Sequence, residues 1–174
     1  MDFLDFEGQS LYFDESVCPE AEALIHKAAA EYSSNKSESY LHQAFFLAPE
    51  NLSVHVALYR YYFYKHQLEK AIHVANITLK IVGAQLGLPE NWEQLTKAHL
   101  GISATKSMGL LRYYFLGLKA SGYLHIRIGD TATGIAMLSK VSELDSADRL
   151  GAKALLEVVK DSNYDAVSSN YYAH

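Results

Sequence analysis

Apolar residues return every three or four positions along most of the chain. Ala21, Leu24, Ile25 and Ala28 do so between Glu20 and Tyr32, and Tyr40, Leu41, Ala44 and Phe45 do so ahead of Pro49. Such spacing gathers each set on one helix face. The pattern predicts further helices over Leu52–Lys65, Leu68–Val82, Lys106–Ile128 and Thr133–Leu144, and a last one reaching about Lys160. The punctuation agrees. Pro19 sits where a first-turn proline belongs, just after Ser16 and Cys18. Gly83 closes the fourth helix in this reading, and Gly87 with Pro89 marks a loop. Asn91 with Gln94 has the capping-box pattern and predicts a helix containing Trp92. Gly129 before Asp130 and Thr131 reads as a stop followed by a new cap, and Asp145 or Ser146 caps the final helix. No strictly alternating apolar run flanked by hairpin residues occurs, so the expected class is all-α.

A repeat underlies these helices. The segment AFFLAPEN puts Ala44 five residues before Pro49, and a window of Cys18–Asn51 follows from it. The next window of about 34 residues, Leu52–Gln85, places Ala71 at an equivalent small-residue position early in its second helix. In SGYLHIRIGD, followed by TATGIAMLSKVSELD, Gly122 and Gly129 lie seven apart. Gly134 takes the small position there and Leu138 the large apolar one, giving a third window of about Phe115–Asp148. The chain resembles tetratricopeptide-repeat (TPR) proteins through these segments. It departs from them where His55 replaces the usual tryptophan, where Ser146 replaces a closing proline, and across Leu86–Tyr114. The resemblance implies an all-α, TPR-like antiparallel helix-pair solenoid over 18–160, an α-α superhelix. Its parts are repeats at about 18–51, 52–85 and 115–148, an irregular helical insertion at about 86–114, and a capping helix at about 149–160. Small residues at Ala44, Ala71 and Gly134 let paired helices approach, and Tyr59, Tyr61 and Tyr62 fill the space between pairs. The runs VHVALYRYYFY, LGLPENW and YYFLGLKASGYLHIRIG are also similar to small bacterial repeat proteins associated with nitrogen-fixation gene neighbourhoods.

Composition narrows the function classes. With 49% hydrophobic and 20% charged residues the chain is an ordinary globular one rather than a disordered one. A net charge of −5 argues against a nucleic-acid binder, which carries a basic surplus. The single Cys18 excludes a disulfide framework and a Cys-rich zinc module, and fits a reducing compartment. Residues 1–17 hold Asp2, Asp5, Glu7, Asp14 and Glu15, no Lys or Arg, and Phe3, Phe6, Tyr12 and Phe13. They read as an acidic aromatic arm rather than a secretory signal. No apolar run approaches a membrane span. The expectation is a cytoplasmic protein with no membrane association, and 161–174 is read as a tail.

Catalytic and metal chemistry find little to rest on. Glu22 with His26 and Glu69 with His73 share helix faces at i,i+4, yet no HExxH or Glu-x-x-His pair accompanies them. Solvated Glu–His pairs are the simpler reading. Cys18 at a helix start suits a capping or half-buried thiol better than a nucleophile. No phosphate-binding glycine loop follows a strand. RYYF occurs at Arg60–Phe63 and again at Arg112–Phe115, and reads as aromatic core. No cofactor and no metal are expected.

In proteins of this resemblance the first helix of each pair lines a concave groove. The positions it implies here are Glu22, His26, Val56, Arg60, Phe63, Tyr64, Lys119, Tyr123, Ile126 and Arg127. Arg60 with Tyr64, Lys119 with Tyr123, and Tyr123 with Arg127 are each i,i+4. A mixed cationic and aromatic surface suits a peptide bearing acidic and apolar side chains. The groove asparagine of carboxylate-clamp repeats is missing from Leu52–Lys65. The function expected is a non-enzymatic scaffold or adaptor that binds a protein segment. The alternatives are a metal-handling or assembly accessory using the His/Glu pairs, or a self-associating structural protein such as a homodimer.

Overall fold

A computed structural model of the chain describes residues 18–34 and 36–160. The expected N-terminal arm and C-terminal tail lie outside them. The described residues are helical throughout, with no strand. The order is α1 (Pro19–Ala30), α2 (Lys36–Leu47), α3 (Leu52–Tyr64), α4 (Leu68–Leu86), a 3-10 turn at Trp92–Gln94, α5 (Lys97–Lys106), α6 (Met108–Arg127) and α7 (Thr131–Leu144). Residues 152–160 are helical as well. Among the described residues no helix is long and apolar enough to cross a membrane.

Short turns make neighbours of consecutive helices. α1 packs on α2, α3 on α4, and α6 on α7. Between these hairpins α2 and α1 meet α3, and α4 meets α6, while α5 packs on α6. The core runs through the contacts on small and branched residues: Ala21, Ala44, Val54, Ala71, Val82, Leu118, Leu138 and Val141 are all fully buried. Tyr59, Tyr61 and Tyr62 are buried, as are Tyr113, Tyr114 and Phe115 of the second RYYF run. Gly134 shows why a small residue is needed where α6 meets α7. A Cβ there would stand 2.5 Å from Ile126 Cγ1 and 2.6 Å from the Gly122 carbonyl oxygen.

Polar side chains fix the helix ends. Asn51 accepts from Ser53 N–H to open α3, Ser107 from Leu110 N–H to open α6, and Asp130 from Thr133 N–H to open α7. Buried Ser37 donates to the Ala28 carbonyl at 2.8 Å, tying the start of α2 to the last turn of α1.

The boundaries differ from the sequence reading in several places. α4 does not stop at Gly83. It runs to Leu86 and ends where Gly87 adopts φ 71°, with Gly87 N–H and Leu88 N–H bonded back to the Ala84 and Gly83 carbonyls. That Schellman geometry needs a left-handed residue, which Gly87 supplies. Asn91 opens only the 3-10 turn, because the helix that follows has its own capping box at Thr96 and His99. The long helix expected from Lys106 begins at Met108, since Ser107 is extended (φ −160°) and separates α5 from α6. Neither Asp145 nor Ser146 opens the last helix. Asp145 binds Leu150 N–H, and Asp148 Oδ1 accepts from Lys153 N–H at the start of residues 152–160.

Candidate functional site

α1 and α3 lie against each other and leave a hollow of about 320 Å³ between them. One wall carries Ile25, Ala28 and Tyr32 of α1 and its C-terminal turn, and the other carries Ala57, Arg60, Tyr61 and Tyr64 of α3. Both rows follow from helical period, since each steps by three or four residues. Tyr64 is 40% exposed and Arg60 is half-buried. Arg60 forms no ion pair or hydrogen bond among the described residues. Lys65 is placed otherwise. Its amine lies 4.5 Å from the Tyr32 ring centre and 5.8 Å from that of Tyr61, which fixes both rings at the rim. The hollow therefore offers a guanidinium with no ion pair among the described residues, set among tyrosine faces with an alanine-lined floor between them.

The other groove positions fall differently. His26 is exposed on α1, 3.9 Å from Glu22. Val56 is half-buried, and Phe63 stacks on Tyr59 with ring centres 6.0 Å apart. Tyr123 and Arg127 do meet on α6, where Arg127 Nη1 donates to Tyr123 Oη at 3.0 Å. Two positions require correction. Lys119 is not on an open face. It is 3% exposed, and its amine donates to the Leu150 carbonyl in the segment that links α7 to residues 152–160. Gly151, at φ 67°, turns the chain beside that amine. Ile126 turns its Cγ1 onto Gly134 of α7, filling the gap that glycine creates. No hollow described here contains both the Arg60–Tyr64 and the Tyr123–Arg127 pair.

Larger hollows were not anticipated, and two of them lie along α4. One, of about 770 Å³, runs along α4 from His73 to Ala84 and is closed by Trp92, Tyr114, His125 and Met137. The other, of about 470 Å³, lies among α2, α3 and α4 with Phe45, Leu58, Val74 and Ile77 as apolar walls. Their sequence signal was slight, because a hollow between helices depends on inter-helix angles and not on any one helix's period.

A polar cluster latches α2 to α3 and α4 beside the second of these. Tyr62 Oη lies 2.7 Å from His42 Nε2 and donates to Glu38 Oε1, which also accepts from the Lys70 amine at 2.8 Å. The Lys70 hydrogen bond holds the Glu38 carboxyl below the usual range. Burial, with Glu38 beside it, pushes the Tyr62 phenol well above its ordinary value. Among the described residues no group of three or more His, Cys, Asp or Glu side chains could hold a metal ion. Cys18 is half-buried and makes no capping hydrogen bond.

Fold and site together define an all-helical protein of packed hairpins with hollows between its helices. The chain belongs to the family of an uncharacterized 19.8 kDa protein in the nifW 5′ region of Azotobacter chroococcum mcd 1. The two are 44% identical over 161 residues, which is 92% of this chain and 90% of that protein. No protein-family model and no solved structure matches the chain.

Proposed function

We propose that the protein is a non-enzymatic scaffold that binds an acidic, partly apolar peptide segment in the α1–α3 hollow. The carrying observation is Arg60, half-buried, without an ion pair among the described residues, and surrounded by Tyr32, Tyr61 and Tyr64. A guanidinium in that setting gains from a carboxylate, and the tyrosines are rigid amphipathic contacts. The architecture behind this reading is a TPR-like solenoid. Hairpins α1–α2, α3–α4 and α6–α7 are its repeats, α5 is an insertion and 152–160 a capping helix. Support comes from the packing of each hairpin on the next and from fully buried Ala44 and Ala71 and buried Gly134 at the small-residue positions. The family relative of the nifW 5′ region supports a role in nitrogen fixation. The cytoplasm is the proposed compartment.

Affinity capture from a host growing on dinitrogen tests this, with wild-type, Arg60→Glu and Arg149→Glu proteins as baits. Proteins held by wild type and Arg149→Glu but lost with Arg60→Glu are the expected result. Identical captured sets from all three would remove the hollow from consideration.

A further inference from the structure

The charge of this chain is unevenly placed. All 15 basic residues lie within 18–160, and between Glu93 and Asp130 there are five of them and no acid. That stretch contains α5, the insertion helix, which the scaffold reading does not use. α5 is attached by one face only. Ser103 is buried and donates to the Leu86 carbonyl, while Leu100 and Ala104 are half-buried. The opposite face is open. Ile102 is 63% exposed there and Lys106 is exposed beside it, and at the start of α6 Met108 is 64% exposed and Arg112 exposed as well.

Ile102 and Lys106 are one turn apart on α5, and Met108 and Arg112 one turn apart on α6, so each pair shares a helix face. Ser107 is at once the end of α5 and the cap of α6, which brings both pairs within about one and a half turns of a single residue. Neither Lys106 nor Arg112 makes an ion pair among the described residues. The Lys106 amine lies beside Gly87 at the end of α4.

We propose that this α5–α6 corner is a second docking surface, for an acidic protein segment carrying a bulky apolar side chain. The apolar side chain covers Ile102 and Met108, and the carboxylates meet Lys106 and Arg112. Charge complementarity selects an acidic partner, because the corner holds cations and no acid from its own segment. The two exposed apolar side chains select protein over nucleic acid, whose affinity comes from phosphate contacts. One bulky apolar side chain on the open face of a ten-residue helix is too little to anchor a membrane surface. The proposal is independent of the Arg60 hollow.

Fluorescence anisotropy on the full chain tests it, using a labelled synthetic dodecapeptide of alternating Glu with Phe or Leu. The comparison probes are its Gln counterpart, phosphatidylserine vesicles and a DNA duplex. The Glu peptide should bind wild type and the Gln peptide should not. Lys106→Glu and Arg112→Glu together should weaken binding by roughly tenfold or more, each exposed pair contributing little alone. Ile102→Ser with Met108→Ser should weaken it comparably, and Arg60→Glu by less than about twofold, the scale of an untouched site. The corresponding Lys→Gln and Arg→Gln set carries the test if charge reversal disturbs the thermal melt. The proposal fails if the Glu peptide does not bind, if the Gln peptide binds equally, or if vesicles or duplex bind more tightly through the same cations. It fails too if only Arg60→Glu removes binding, a result that would leave the α1–α3 hollow standing.

Discussion

His55 Nε2 donates to the carbonyl of Pro49 at 2.6 Å, joining α3 to the turn that precedes it. The ring is 1% exposed, and its Nδ1 lies 3.2 Å from Thr78 Oγ1 on α4. One side chain thus ties a turn, α3 and α4 together. Burial disfavours the imidazolium and lowers the His55 pKa, and the Pro49 carbonyl opposes this only in part. The unfolded chain therefore binds a proton at His55 more readily than the folded one. The stability this histidine contributes is complete above its unfolded pKa of about 6.5 and is lost as pH falls through the lower folded value. Urea midpoints should drop between pH 7.5 and 5.5. His55→Phe should be less stable by about 1–3 kcal/mol at pH 7.5, because it orphans the Pro49 carbonyl. Its midpoint should change less over that range. An equal slope in the two proteins would place the titration elsewhere.

Tyr62→Phe removes the hydroxyl between His42 and Glu38 while keeping the ring under Lys70, 5.1 Å from its centre. The expected loss is about 1 kcal/mol, that of a single hydrogen bond at a partly exposed site. A double-mutant cycle with Glu38→Gln, read by thermal melts, should show coupling between the two, since they share one bond. Additive losses would mean the latch contributes nothing as a unit.

Helix existence was legible because period and punctuation agree along the chain. Pro19, Asn51 and Asp130 stand where their helices open. The errors came where a local signal met a tertiary one. Gly83 reads as a stop, yet it lies within α4 beside the Tyr114 ring, 3.4 Å from where its Cβ would be. That distance is ordinary contact, so Gly83 sits in mid-helix without ending it, and the true stop is Gly87. The site was legible in part. Arg60 and Tyr64 share a face by period alone, but Tyr32 joins them only through the α1–α3 contact. Lys119 shows the limit of the same rule, because four residues of spacing cannot reveal that the segment around Leu150 covers it.

Gly134→Ala should be disproportionately harmful for the addition of one methyl group. Two of the three nearest atoms to its Cβ are backbone, the Gly122 oxygen at 2.6 Å and the Ile126 nitrogen at 3.0 Å. Backbone cannot swing aside as a side chain does, so α6 and α7 must separate. A cost of about 1–3 kcal/mol is expected. Gly101→Ala is the control, since nothing lies within 4 Å of its Cβ and alanine is the better helix former. Calorimetry should show a lowered melting temperature for the first variant and an unchanged or raised one for the second. Equal melts would mean that the α6–α7 contact is looser than described.

Arg60 and Lys119 should separate binding from stability. Both are cations of first helices in the repeat reading, yet Arg60 borders an open hollow and Lys119 is buried against Leu150. Arg60→Glu changes a half-buried charge that has no ion pair among the described residues, so the melt should hold while binding of an acidic peptide in that hollow falls. Lys119→Met keeps the apolar stem and removes the donor. The Leu150 carbonyl then loses its bond, at a cost of about 1–3 kcal/mol. The loss should be local at first. Leu150 lies just before residues 152–160, where Ala152 and Leu156 are the buried residues. Amide exchange in 152–160 should accelerate in Lys119→Met ahead of any change in α3 or α4. Arg60→Glu should leave exchange there as it is. If Lys119→Met exchanges like wild type and instead weakens peptide binding, its amine serves the surface rather than the terminal helix.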